Sequence, residues 1–456
     1  MPDILDVVVV GGGPAGLSAA WALKDRRIRL VEAGERLGGR LHSEPRDGVW
    51  MNFGAHLFPG PGSRIQAMLA DLGLRTVDIP GNKFAVWTGD RLVAPSSVSL
   101  MPFLLDFSLW ERCMLSVTGL RILRAVAKFK ARQKSVSGLP MPARRQAMAA
   151  YLSDLSFCAF LGRLPRRVRA LFETSGRRAA VEIDEQSAGV GISLFASVWA
   201  GKASSMALNL DGGTGCLPRA MEAALGDTVI YGATATRVAE EGGLVRVTYE
   251  TADGTQELLA RRAIVAVPAT VAARICAVPE RVRAALAAVQ YGSFVSLGVL
   301  TEEPEAQAWD GIYAISTLTG PFDMMFHHTN PLKAAGRSGG KGSYMLYCGG
   351  RKAAALLDRP EEEITRSYLD EFFRILPALK GKVLETRLFK WTPGNACRAV
   401  GADFSPVVDH TGRKQQAIRF CGDYFAEIGN MEVAAATGQE AALLVEADLS
   451  RNNEQK

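Results

Sequence analysis

Three glycines, at positions 11, 13 and 16, stand out among the residues of this 456-residue chain whose spacing could do chemistry. In Gly11-Gly12-Gly13-Pro14-Ala15-Gly16 the first allows a tight turn, the second lets a pyrophosphate approach the backbone, and the third lets a helix pack on a strand. Glu32 lies farther on, where an acid can accept hydrogen bonds from both hydroxyls of an adenosine ribose and would repel a 2′-phosphate. These residues need elements to hold them. The β-branched run Val7–Val10 reads as a buried parallel strand and Leu17–Lys24 as a helix with its N-terminus at the phosphates. Ile28–Val31 reads as the next strand, ending at Glu32. This order predicts a dinucleotide site using Gly11, Gly13, Pro14, Ala15, Gly16, Glu32 and Ala33.

The stretch after Glu32 points to FAD rather than a nicotinamide. Gly38, Gly39 and Arg40 supply a second glycine-rich bend and a forked donor for the same pyrophosphate. At the other end of the chain, Ile418–Tyr424 reads as a strand running into a Gly422-Asp423 turn. Gly429–Gly438 then opens a small-residue helix continuing to about Ala447. A helix start there would stabilise the negative charge of a reduced flavin near N1 and O2.

The segments VVGGGPAGLSAAWAL, VEAGERLGGRLHSE and Asn52–Phe58 (NFGAHLF) resemble the flavin monoamine oxidase and protoporphyrinogen oxidase superfamily. The resemblance implies non-covalent FAD in a split Rossmann domain, with substrate bound in a second domain over the flavin. It implies that Asp423 bonds the ribityl chain and that the helix start at Glu432-Val433 presents N–H groups to the flavin, with Val433 where glycine is usual. The middle of the chain, from Asp211–Pro218 through short strands to the run Arg262–Pro268, is similar to the family's central FAD segment. There a strand backbone contacts the adenine, and Ala235 takes that position.

The expected fold is therefore α/β: a split Rossmann-type FAD-binding domain from residues 1–90, 206–280 and 401–450, and an α+β substrate domain, a mixed sheet with a helical cap, from 91–205 and 281–400. A frayed tail is expected at 451–456. A chain of this length, 48% hydrophobic, can build two cores. No run of eighteen apolar residues occurs and no signal peptide is read at the start, and seven scattered cysteines without a C-x-x-C argue against disulfides or a metal site. A cytoplasmic protein is the expectation.

For the reaction the residues say less. Amine oxidases of the family use a lysine near flavin N5, and the matching stretch Tyr291–Val299 has none. Their two flanking aromatics would fall at Asn430 and near Cys397-Arg398. Cys397 follows Trp391 by six residues, roughly where some members attach FAD, and is expected to remain a free thiol. The stretches Gly60–Leu74, Phe84–Pro95 and Met101–Arg112 are more similar to the protoporphyrinogen oxidase branch. That resemblance implies hydride transfer from a carbon of an apolar or cyclic small molecule to flavin N5, with oxygen or a quinone as acceptor. Amine oxidation, polyene or steroid desaturation, isomerisation without net redox change and a non-catalytic FAD role stay open. The only catalytic candidates are His327-His328, an exposed pair in a loop on this reading, and Trp391 as a pocket wall.

Charge is uneven. Residues 112–146 hold nine basic residues and no acid, and Arg121, Arg124, Lys128 and Arg132 share one helical face. One reading is a peripheral contact with anionic membrane lipids through 112–145. The other is a solvated face whose opposite side, including Cys113, Val117, Leu120 and Leu123, is core. A carboxylated substrate is a third use for the charge. Without interleaved aromatics, nucleic acid is not expected.

Overall fold

The computed structural model describes residues 4–80, 84–95, 100–198, 208–426 and 428–454. Two sheets organise the chain. In the first, Ile4–Val10 lies between Ile28–Val31 and Gly254–Val265, parallel to both. Val229–Ile230 extends one edge and the antiparallel strands Leu244–Thr251 and Thr234–Glu241 extend the other. Ile418–Phe420 joins in parallel beside Gly254–Val265, so the sheet draws on three distant parts of the chain. Val7–Val10 are fully buried because helices cover both faces, which is why the strand reads as a continuous apolar run.

The second sheet is mixed and mostly antiparallel. Its strands run Val383–Trp391, Phe294–Glu302, Lys341–Gly349, Met324–His327, Ala314–Thr317, Phe84–Trp87 and Leu92–Val93. Helices Leu109–Ser135, Met141–Ala149, Arg166–Gly176 and Ala188–Val198 form the cap. This is the expected α/β architecture with a Rossmann-type sheet, a second sheet and a helical cap. The hairpin at 84–93 sits wholly in the second sheet, so a domain boundary at 90 would cut through it.

Three local expectations are corrected. The first helix starts at Pro14, not Leu17, because proline's missing N–H costs nothing in the first turn. The closing helix runs Met431–Glu454, so residues 451–454 continue it rather than fray; 455–456 lie outside the described residues. The side chains Cys113, Val117, Leu120 and Leu123 are exposed, and the core face of Leu109–Ser135 is instead Leu115, Thr118, Ile122, Ala125, Val126 and Phe129. Among the described residues no helix is long and apolar enough to cross a membrane.

Small residues let the closing helix lie against the first. A Cβ on Gly438 would come within 2.1 Å of the Ala15 carbonyl oxygen, and the Ser18 hydroxyl donates to the Ala435 carbonyl at 2.8 Å. The alanine-rich composition of this helix is a packing requirement.

Candidate functional site

The glycine-rich turn is held from three sides. Gly11, at φ +101°, donates to the Val31 carbonyl, and a Cβ on Gly16 would sit 1.8 Å from the Gly11 oxygen. Glu32 accepts from the N–H of Gly12 at 2.7 Å through one oxygen and from that of Gly34 at 2.8 Å through the other. A carboxylate has about four acceptor sites, so two remain for a ribose diol. Gly38 donates to the Gly12 carbonyl at 2.8 Å and Gly39 lies beside Gly13, so the second glycine bend closes on the first. A Cβ on Gly13 would meet nothing within 4 Å, which leaves open space where a pyrophosphate would come to the backbone and to the helix start at Pro14 and Ala15. Ala33 is exposed next to the acid.

Arg40 joins the two ends of the chain. Its guanidinium meets both Asp423 oxygens, at 2.8 and 2.9 Å, and donates to the Gly394 carbonyl at 2.5 Å. Gly422, just before Asp423, is fixed by two bonds with the Thr437 hydroxyl. The glycine loop, the second bend and the Gly-Asp turn therefore adjoin one another. Ala235 sits on Thr234–Glu241, opposite Tyr249 and beside a bulge. Close to it, the Ala233 N–H donates to the Glu32 carbonyl.

The start of the closing helix departs from expectation at Val433. Both Glu432 oxygens accept backbone N–H groups at the start of helix Arg64–Asp71, from Arg64 at 2.8 Å and Ile65 at 3.0 Å, so that carboxylate is committed to a helix terminus and not to a cofactor. Val433 lines the cavity, but its N–H donates to Asn430 Oδ1 at 2.9 Å. Asn430, at a family aromatic position, thus caps the closing helix.

A cavity of about 550 Å³ opens on this frame and takes Pro14, Arg40 and Asp423 into its lining. Its aromatic wall comes from Phe53, Phe129, Phe294, Phe326, Tyr347 and Trp391. Trp391 is a pocket wall as expected, anchored by its indole N–H to the Phe53 carbonyl at 2.9 Å and the Ser296 hydroxyl at 3.0 Å. Lys130, Arg178 and His56 also line the cavity, and the sequence reading named none of them as site residues. His56 lies in the NFGAHLF segment and Lys130 in the basic stretch 112–146, which were signals; Arg178 carried none. Asp423 is the only carboxylate among the described lining residues and is paired with Arg40, so Lys130 and Arg178 are its uncompensated charges. Burial pushes the Tyr347 hydroxyl up to about 12, so it remains protonated beside Arg178.

His327 and His328 are corrected on both counts. They are buried, His327 closes the strand Met324–His327, and neither lines the cavity. His327 stacks on Tyr344 at 4.6 Å; His328 packs edge-on against His56 at 4.7 Å. Cys397 is also buried, outside the cavity lining, and burial pushes its thiol up to about 12, which suppresses the thiolate needed to attack a flavin.

Burial holds His56 and His327 at about 4 and His328 well below its ordinary value, so all three are neutral at pH 7. The unfolded chain takes up these protons from about pH 6.5 downward while the folded chain refuses them. Stability should therefore be full above pH 6.5 and fall steadily towards pH 4. The loss is on the order of 3 kcal/mol each for His56 and His327 at the bottom of that window. Melting curves between pH 7.5 and 4.5 check this. His328→Phe, with similar shape and no proton to refuse, should gain more Tm at pH 5 than at pH 7.

Comparison with known proteins follows this geometry. The model of the family described as flavin containing amine oxidoreductase matches residues 14–445. Protoporphyrinogen oxidase 1, chloroplastic, of Spinacia oleracea is 32% identical over 130 residues, 26% of this chain and 23% of the relative. Putrescine oxidase of Kocuria rosea is 41% identical over 73 residues, 16% of this chain and 15% of the relative. The chain thus matches less than a quarter of the length of either. Among solved structures, putrescine oxidase bound to putrescine superposes with a TM-score of 0.76 at 21% identity, covering 98% of this chain and 100% of that one. Cyclohexylamine oxidase from Brevibacterium oxydans IH-35A gives 0.77 at 18% identity over the same shares. At these identities the likeness is one of fold.

Proposed function

Because this chain belongs to the flavin-containing amine oxidoreductase family and is a FAD-dependent oxidase of that type, we propose that it oxidises a hydrophobic or cyclic small molecule carrying an anionic group, as a protoporphyrinogen oxidase-like enzyme would. One observation carries this: an aromatic-walled cavity bordering the FAD frame whose two unpaired charges, Lys130 and Arg178, are both positive. FAD supplies the hydride acceptor, N5, with oxygen or a quinone restoring the oxidised state. The protein's own part is binding and orientation. Trp391, Phe294 and Tyr347 offer flat apolar walls, which remove water from a ring substrate. Arg178, lining the pocket beside Tyr347, offers guanidinium N–H groups to a carboxylate.

An amine is the second reading, favoured by the full-length fold likeness to putrescine and cyclohexylamine oxidases. Against it, an ammonium ion would meet two cations here, and Asn430 supplies no aromatic face for it.

Anaerobic bleaching of the purified flavoprotein separates the readings. The panel is protoporphyrinogen, coproporphyrinogen, primary amines, sterols and polyenes. Reduction by a carboxylated ring compound is expected; reduction by amines alone would establish the second reading. Arg178→Met should weaken binding of the anionic substrate by about 2 kcal/mol, some thirtyfold, with flavin content unchanged. An unaltered KM would remove Arg178 from the site.

A further inference from the structure

Three charged side chains meet at one end of the second sheet, and none of them lines the cavity. Glu303 follows the strand Phe294–Glu302, Asp310 lies in the segment beyond it, and Lys333 reaches in from the short helix Asn330–Ala334. The Lys333 ammonium holds both carboxylates, Asp310 at 2.7 Å. Glu303, completely buried, also accepts from the Tyr344 hydroxyl at 2.9 Å and from the Thr301 hydroxyl. Two carboxylates against one ammonium leave the group one negative charge in excess, where an uncompensated charge is strongly disfavoured.

His327 completes the group. It is buried, and among the described residues neither ring nitrogen makes a well-formed hydrogen bond. A His327 ring nitrogen, a Glu303 oxygen and an Asp310 oxygen all lie within 4.8 Å of one another. Asn330, whose amide donates to the Asp310 carbonyl, is buried too, and its Oδ1 has no partner. Buried nitrogen and oxygen atoms find partners as a rule. Here a cation is the missing one, because the carboxylates carry charge to spare. The Ile312 carbonyl stands near the imidazole, placed to take the N–H that a metal-bound ring keeps on its other nitrogen.

We propose that Glu303, Asp310 and His327 bind one zinc ion, which displaces the Lys333 ammonium. Two carboxylates, an imidazole and a divalent ion sum to zero charge. One nitrogen and two oxygen ligands suit zinc, whereas calcium and magnesium take shells of oxygen alone. Tetrahedral zinc sets its ligand atoms about 3.3 Å apart, so the widest pair closes by about 1.5 Å at most. Asp310 is partly exposed and can make that movement. Lys333 has solvent to turn to, because residues 334–337 after it are exposed. The ion ties the segment after Glu303 to the strand Met324–His327, whose neighbour His328 packs on the cavity-lining His56. Cysteine spacing, the ground for expecting no metal, is blind to ligands at 303, 310 and 327. The site stands whether the substrate is anionic or an amine.

The test uses the FAD-loaded protein, purified without a metal-affinity tag, stripped with EDTA, then loaded with zinc, magnesium or calcium and dialysed. Zinc should be retained at one ion per chain and should raise Tm; magnesium and calcium should do neither. His327→Gln should lose the ion. Should that variant not fold, Asp310→Asn, at the partly exposed ligand, should bind zinc more weakly by about tenfold or more. Lys333→Met separates a metal site from a plain ion-pair network. With the competing ammonium gone it should bind zinc about tenfold more tightly, and the Tm it loses in EDTA should return when zinc is added. Failure to retain zinc, equal retention by the wild type and Asp310→Asn (an adventitious ion only), or a Lys333→Met protein that zinc does not restore would overturn the proposal.

Discussion

Gly16→Ala should yield a protein that elutes from gel filtration without flavin. The added methyl would stand 1.8 Å from the Gly11 carbonyl oxygen and 3.2 Å from the Ala266 Cβ. Neither neighbour can give way: Gly11 is tied to Val31 and holds a φ of +101°, and Ala266 follows the central strand Gly254–Val265. Overpacking against backbone costs more than about 3 kcal/mol when nothing can rotate aside. The helix would have to lift off the strand, carrying its N-terminus away from the phosphates. Gly13→Ala is the informative companion. Its methyl meets no protein atom within 4 Å, so the fold should keep its apo Tm while FAD binding drops tenfold or more. Flavin absorbance after gel filtration and apo-protein melting measure both. A Gly16→Ala protein that remains yellow would show that the turn has another way to close.

Arg40→Ala should have the next largest effect, and on two quantities together. It leaves Asp423, whose side chain is only 8% exposed, without its cation, and takes the donor from the Gly394 carbonyl. Breaking a largely buried pair by removing one partner costs about 3 kcal/mol. FAD affinity should fall at least a hundredfold, because the cation that neutralises Asp423 is lost and the stranded carboxylate repels the phosphates. Adding Asp423→Asn should restore much of the Tm and of the affinity, since the neutral amide removes the stranded charge. Arg40→Lys should fall between, keeping the charge and losing the fork. Isothermal titration of apo-protein with FAD, alongside Tm, reads both; an unchanged dissociation constant would make Arg40 a structural residue only.

The cofactor frame was legible in the sequence because its parts are local. Glycine spacing, a β-branched strand and an acid at the strand end each act within a few residues, and the structure places Gly16 against Gly11 and Glu32 on the N–H of the neighbouring Gly12. The substrate side was not legible for the opposite reason. Arg178 and Lys130 reach the cavity only because the helical cap docks over the second sheet, and no short-range pattern records that docking. His327-His328 illustrates the limit: two polar residues in a row suggest a loop, yet tertiary packing buries both. The helix at 109–135 is another case, since two apolar stripes were present and periodicity alone does not say which of them finds the core.

The contact between Ser18 and Ala435, 417 residues apart, has a consequence for how this protein comes into being. The strand, turn and helix around Ser18 leave the ribosome well before the helix that covers them and the carboxylate that meets Arg40. At about 5–20 residues per second, roughly 20–80 s separate the two events. Throughout that interval the nascent chain exposes an apolar helix flank and an incomplete nucleotide cradle. Flavin capture therefore waits for the Gly422-Asp423 turn and the helix behind it, and the nascent chain depends on whatever shields its glycine-rich segment until they emerge.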